Sequence, residues 1–387
     1  MTDPSRLFDP ATAADRWPVY DELRSGCPLQ IGRRSWVVIS HDHVRQVLND
    51  PASFSSDVRD RGNPVFRESP LVFDDPPRHT PLRRLVISTF TPRRIAAQEP
   101  WVRGVAAELL DALAARPADF VAEVANPLPV RVIAHLLGVP PDEHEQLKRW
   151  SEDRSFVTYH GHDDAPRTPE LLDALAGCEA MYERFRELLA ERRNTPTDDL
   201  LSALLAAEVD GHRLTEQEIV GIGAVLLTAG NLTTSRLLSN LAHLLATDDR
   251  VAGLAATRPD TIPAIVDECL RRESPLQYPI RKTAVDAELG GVTIPAGHTV
   301  LVGIGPANRD PGAYERPDEV DIERSGAHLA FGQGIHFCAG AALARLEGKV
   351  VAELLTEGPR RLALDGPAVP EPTISHCGFE RLPVRFA

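Results

Sequence analysis

The chain of 387 residues is poor in the features that mark several protein classes. Its five cysteines are scattered and odd in number, with no CxxC pair, so the sequence offers neither a disulfide framework nor a structural zinc site. No apolar run is long enough for a signal peptide or a membrane-spanning helix. The start, MTDPSRLFDPATAADRW, is polar, and the longest apolar stretches elsewhere are interrupted by Gly, Thr or charge. A soluble cytoplasmic protein is expected. Basic residues are the minority, 42 against 56 acidic, and the net charge of −14 argues against nucleic acid or an anionic membrane as the main partner. The nearest approach to a metalloprotease HExxH pair, at His144 and Glu145, has Lys148 where the second histidine would stand. GQGIHF places Phe337 where a dinucleotide-binding fingerprint needs its third glycine.

Hydrophobic residues make up 43%, ample for a core that hides a cofactor, in one large domain or two ordinary ones. The most informative stretch surrounds Cys338. FGQGIHF precedes it, and in the alanine-rich segment that follows Leu343, Leu346, Val350 and Leu354 recur at helical spacing. The thiol is therefore expected where a tight loop becomes a helix. Unpaired amides and the positive end of the helix dipole there favour thiolate, the metal-binding form. Gly332, Gly334 and Gly340 would let the backbone approach something flat and turn N–H groups toward the sulfur. Such a loop suits an iron ligand, although a free cysteine also serves as a small buried hydrophobe. That second role is expected of Cys27, Cys178, Cys269 and Cys377.

Residues 9–49 read as helix, strand, helix, the strand being the β-branched run 36–40. Residues 54–70 show no clear periodicity and read as an irregular loop. In FDDPPRHTPLRRLVISTFTPRRI, residues 73–95, the prolines place a helix start after Pro77 and a break at Pro92, with His79 and Arg83 on one face. Residues 100–149 alternate amphipathic helices with a proline-rich turn at LGVPPDEHEQL. Two helices over 150–193 flank YHGHDDAPRTP, whose His160, His162, Asp163 and Asp164 read as a solvated loop, not a metal site. LTEQEIVGIGAVLLTAGNLTTSRLLSNLAHLLATDD opens on Thr215 and Glu218 in capping-box spacing and stays apolar on most faces. A buried helix of about thirty residues, roughly 45 Å long, is expected. At its middle Ala229 and Gly230 leave room for a ligand, and Thr233 and Thr234 carry hydroxyls that can hydrogen-bond to bound oxygen or water. Glu268 and Arg271, three apart, suit an ion pair, buried or exposed. YPIRKTAV and VTIPAGHTVLVGIG read as strands, and residues 359–386 as a proline-broken closing hairpin with its tip at 375–379.

FGQGIHFCAG resembles the haem-binding signature of the cytochrome P450 family, and further segments resemble that family in the expected order from residue 73 onward. The resemblance implies a mainly α fold with a smaller β region and a single domain over 1–387. Haem b would be sandwiched between the long central helix and the helix after the cysteine loop. It implies that Cys338, with Phe331, Gly332 and Gly340 around it, holds the iron. His79, Arg83, Arg281 and His336 would hold the haem propionates, for which histidine and arginine are suitable donors. His336, two residues before Cys338, would point to the other side of the loop. Ala229, Gly230, Asn231 and Thr233 match the oxygen groove, Glu268 and Arg271 a structural lock behind the haem, and ANRDP the arginine-containing meander. One departure is material: where the family carries an acid before the threonine, this chain has Leu232. Proton delivery would then rest on Thr233, on Asn231, on ordered water or on a polar group of the substrate.

The activity so implied is insertion of one oxygen atom from O₂ into a C–H or C=C bond of an apolar small molecule. Alternatives within the same fold are peroxide-driven oxidation, oxidative coupling or nitration, and outside enzymology a haem-binding or sensor protein. With no flavin or nicotinamide domain, electrons are expected from a ferredoxin and its reductase, docking near Arg84, Arg94 and Arg345. Phe156, Val157, Leu226, Ala229, Leu276, Ser375 and His376 are the substrate-pocket positions by family match, a mostly apolar set suited to a mid-sized metabolite. A monomer is expected.

Overall fold

Proline sets several helix starts, since its fixed φ suits a first turn and its missing N–H has no partner there anyway. In the computed structural model Pro64, Pro92 and Pro169 each stand in such a first turn. The structure describes residues 4–9, 12, 16–114, 116–161, 166–324, 326–358 and 361–386. His162, Asp163 and Asp164 lie outside these. The chain divides into two compact units, one built from residues 56–98 and 127–232, the other from 1–55, 99–126 and 233–387.

The first unit is mainly helical, with one short hairpin pairing Glu208–Val209 with His212–Arg213. Helix α1 (His79–Thr89) begins after Pro77 and ends before Pro92, as the prolines require. Helix α2 (His144–His160) takes in the HEQL of the expected proline turn, because the 3₁₀ turn Pro141–Glu143 already ends that turn and nothing beyond it blocks a helix. Helix α3 (Pro169–Asn194) is capped by the Thr168 hydroxyl, which accepts from the Leu171 amide. Residues 54–70 are more ordered than their lack of period suggested. Asn63 caps a short helix, Pro64–Arg67, by accepting from the Val65 amide at 3.0 Å. Its own amide donates to the carbonyls of Val157 and Thr158, at 2.7 and 3.1 Å, and so satisfies the end of α2.

Helix α4 (Glu216–Thr247) starts in this unit and finishes in the other. Its 32 residues correspond to about 48 Å. The capping box forms reciprocally: Thr215 Oγ1 accepts from the Glu218 amide at 3.2 Å, and Glu218 Oε2 accepts from the Thr215 amide at 2.9 Å.

The second unit holds the largest sheet. Strands β1 (Leu29–Gly32), β2 (Ser35–Val38), β3 (Phe54–Ser55), β4 (Ile280–Thr283) and β5 (Thr299–Val302) lie in the order β1-β2-β5-β4-β3, antiparallel except for β2 with β5. Val38, Val300 and Val302 have no accessible surface and anchor a core that also takes in Phe54 and Leu48. Helices α5 (Ile262–Arg272) and α6 (Ala341–Thr356) follow, and Val369–Pro370 pairs with Phe379–Arg381 as the expected closing hairpin. The mainly α class with minor β regions is as the sequence implied. Among the described residues no helix is long and apolar enough to cross a membrane.

Candidate active site

Of the five cysteines, Cys338 alone is exposed. Burial pushes the Cys178 thiol up to about 11 and takes Cys269 and Cys377 well above the ordinary thiol value, so these three are neutral. The Cys27 sulfur is engaged by the Ile39 amide at 3.3 Å. Cys338 lies two residues ahead of Gly340, the N-cap of α6, and its amide donates to the Phe331 carbonyl at 2.8 Å, closing the loop. Gly332 and Gly334 adopt φ of 71° and 72°, the left-handed region that favours glycine, and a Cβ on Gly334 would come within 2.5 Å of the Leu48 carbonyl. Gly340 has an ordinary φ of −86°. A Cβ there would stand 3.9 Å from the Cys338 sulfur, an ordinary van der Waals contact, so the glycine lies beside the sulfur without being demanded by backbone conformation.

The loop is held from behind. Arg271, 1% exposed, uses all five of its N–H groups: two on the Glu268 carboxylate, at 2.8 and 3.1 Å, and three on the carbonyls of Asn308, Pro317 and Glu319. Glu268 also accepts from the Asp321 amide at 3.0 Å. The ion pair expected from a three-residue spacing is thus the clamp for the irregular segment 308–321. Asn308 extends it, its Oδ1 accepting from the Leu329 amide at 2.7 Å, two residues before Phe331. The Arg345 guanidinium lies 4.5 Å above the Phe331 ring. Arg281 is buried on β4, where Nη1 donates to the Ile280 carbonyl at 2.9 Å, and His336 ends the 3₁₀ turn Gly334–His336 of the cysteine loop. Leu276 bridges His376, whose imidazole is kept neutral by burial and by the charges of Arg236 and Arg16. The Ser375 hydroxyl lies 3.0 Å from His376 Nδ1, and the Arg16 guanidinium donates to the His376 carbonyl at 2.8 Å, so this turn is rigidly tied.

In the other unit, α1 carries buried His79 and half-buried Arg83. Burial, then the positive Arg83, lowers His79 below the ordinary imidazole value, leaving a neutral ring able to donate one N–H. The middle of α4 is two-faced. Ala229 is exposed and Leu226, Gly230 and Thr233 half-buried, whereas Leu227, Asn231, Thr234 and Ser235 are buried. At Gly230 a Cβ would meet nothing closer than Ile133 at 4.0 Å, so packing within this unit does not require glycine there. A glycine in a helix interior costs roughly 1 kcal/mol against alanine, which points to space kept for another group. Asn231 is on the opposite side of the helix from Ala229 and Thr233, and its amide donates to Ser151 Oγ on α2 at 3.2 Å. Phe156 is half-buried and stacked on His160, while Val157 has no accessible surface: it packs into the core and lines no open space.

The sequence matches the family described as Cytochrome P450 over residues 26–127 and 261–356. Cytochrome P450 109 of Bacillus spizizenii is 38% identical over 96% of this chain and 91% of its own length. The chain belongs to the cytochrome P450 family. A second relative, the erythromycin C-12 hydroxylase of Saccharopolyspora erythraea, is 38% identical over 94% of this chain and 90% of its own. Among solved structures, CYP109E1 from Bacillus megaterium in complex with corticosterone superposes with a TM-score of 0.86 at 32% identity, covering 97% of this chain and 99% of that one. As a P450 monooxygenase the protein takes haem as its cofactor. Within the second unit the residues present fit that group: an exposed thiol just ahead of α6, a glycine beside the sulfur, and Arg281 with His336 as side chains suited to donate to carboxylates.

Some residues that shape this P450 had no signal in the sequence. Ser151, Asn63 and the Arg154–Ser69 pair are ordinary polar residues until α2 is folded. Glu347 was visible in principle, a charge set into the apolar stripe of Leu343 and Val350 on α6.

Proposed function

We propose that Cys338 is the haem ligand and that this P450 inserts one atom of O₂ into a mid-sized, largely apolar metabolite. The observation that carries this is the exposed thiol at the head of α6, on a loop clamped by Arg271. Haem bound there supplies reductive activation of O₂: two electrons and two protons enter, one oxygen goes to substrate and the other to water. Amides at the helix start and the dipole of α6 stabilise the thiolate. Arg281 and His336, and on α1 His79 and Arg83, hold the propionates by charge-assisted hydrogen bonds. The Thr233 hydroxyl holds and passes a proton where Leu232 stands in place of the family's acid. Asn231, committed to Ser151, contributes indirectly.

Apolar substrate is supported by Leu226, Ala229 and Phe156, and by the corticosterone bound to CYP109E1 and the erythromycin named in the hydroxylase. Ser375 and His376 would form the polar end of the pocket, with apolar Leu276 bridged to His376 beside them. Residues 1–387 act as one catalytic domain, a cytoplasmic monomer that receives electrons from a ferredoxin and its reductase. The test is a ligand screen read by the haem absorption shift, followed by product analysis with O₂ and reduced ferredoxin against peroxide alone. Product only in the first arm supports the proposal; product with peroxide alone identifies peroxide-driven oxidation. Cys338→Ser removes the red-shifted carbon-monoxide band of thiolate-bound haem, and a variant that kept it would rule out this ligand.

A further inference from the structure

The inward face of α2 carries a row of polar attachments. Ser151, 2% exposed, accepts from the Asn231 amide; one turn on, Arg154, 5% exposed, donates to Ser69 Oγ, which donates to the Val65 carbonyl. One turn further, the carbonyls of Val157 and Thr158 accept from Asn63. Two of these attachments reach residues 63–69. The Ser151 attachment reaches the middle of α4.

Asparagine is a poor helix former and is seldom placed in a helix interior unless its amide is bonded. At 100° per residue, Asn231 stands 200° around α4 from both Ala229 and Thr233, so it cannot share their face. A bond from that rear position to a second helix restricts rotation of α4 about its own axis at the level of Ala229–Thr233. Leu232, next to Asn231, has an apolar side chain and cannot replace that attachment.

We propose that Ser151 is a positioning residue for the oxygen-activating stretch of α4, acting through Asn231. The proposal rests on the reading of Ala229, Gly230 and Thr233 as the oxygen groove. It makes α2, which also carries Phe156, the element that sets the orientation of that groove. Losing a single buried hydrogen bond of this kind increases local opening about tenfold.

The test uses the haem-loaded protein and the variants Ser151→Ala and Ser151→Thr. Amide hydrogen exchange is followed across residues 227–235, with α6 as internal reference, and the fraction of electrons lost to hydrogen peroxide is measured without added substrate. Ser151→Ala is expected to raise exchange in 227–235 about tenfold, leave α6 unchanged and increase peroxide. Ser151→Thr, which keeps the hydroxyl, returns both toward wild type. Unchanged exchange and peroxide in Ser151→Ala would overturn the proposal, as would exchange raised equally throughout the protein, the sign of general loosening. The carbon-monoxide band of wild type is recorded alongside. Its absence would remove the groove reading itself, whereas a normal band with unmoved exchange would remove only the role of Ser151.

Discussion

At Glu347 the chain encloses a carboxyl group on α6 that is 2% exposed and whose Oε2 has no hydrogen-bond partner. Burial pushes it up to about 8, with no charged neighbour contributing. In the unfolded chain the same group ionises near 4.5. Between those values the unfolded state is ionised and the folded state keeps its proton, so stability falls as pH rises through that window and levels off above 8. Glu347→Gln removes this dependence. The variant should match wild type near pH 5 and exceed it at pH 8 by on the order of 1–4 kcal/mol, read from denaturant midpoints at the two pH values. Parallel curves for the two proteins would show that Glu347 is not held neutral. A second residue, Leu232, lends itself to a gain-of-function test. Leu232→Asp restores the family's acid beside Thr233 and should raise product formed per electron consumed; an unchanged yield would mean that water and Thr233 suffice. The two residues differ in how far they could be read beforehand. Leu232 was identified by motif alone, whereas the burial of Glu347 depends on how α6 packs, which spacing within one helix does not specify.

Among the elements, the ends of helices were the most legible features, because caps and prolines act locally. Thr215 with Glu218 opens α4 as their spacing required, and Pro77 and Pro92 bracket α1. The start of α2 was not legible, since HEQL is compatible with either turn or helix once Pro141 is passed. The Glu268–Arg271 pair could be read from spacing, but its purpose could not: its further acceptors are carbonyls at 308, 317 and 319, which no side-chain pattern announces. Those carbonyls make Arg271→Lys a severe change despite the retained charge. Lysine has three donors on a flexible stem and cannot span a carboxylate and three carbonyls at once. Breaking a buried pair of this kind costs about 3–5 kcal/mol. Segment 308–321 should loosen and, through Asn308 and Leu329, the cysteine loop with it. Haem content per purified protein should drop sharply along with the thermal midpoint, and a variant that unfolds earlier but still loads haem fully would limit the clamp to a stability role.

For the molecule as a whole the charge balance constrains how electrons can arrive. A net charge of −14 repels an acidic carrier at long range, so a docking face must rely on local positive charge. Each arginine expected at such a face already has a carboxylate partner: Arg84 meets Asp210 at 3.0 Å, Arg94 meets Asp198 at 3.0 Å and Arg345 meets Asp267 at 2.7 Å. Arg84 and Asp210 are exposed and the other two pairs partly so; surface pairs are worth about 0–1 kcal/mol, weak enough for a partner's carboxylates to displace. Arg345 is the most consequential of the three, because its guanidinium also stacks on Phe331 of the cysteine loop. Charge and stacking can be separated. If the proposed ferredoxin docks here, Arg345→Glu should slow electron transfer from it roughly tenfold or more at low salt and flatten the ionic-strength dependence. Arg345→Lys keeps the charge and its salt dependence but loses the planar stack, so its effect should appear in the spectrum of the bound haem and not in the association rate. If both variants transfer electrons at the wild-type rate at every salt concentration, the carrier docks elsewhere, on a face whose positive charge does not come from α6.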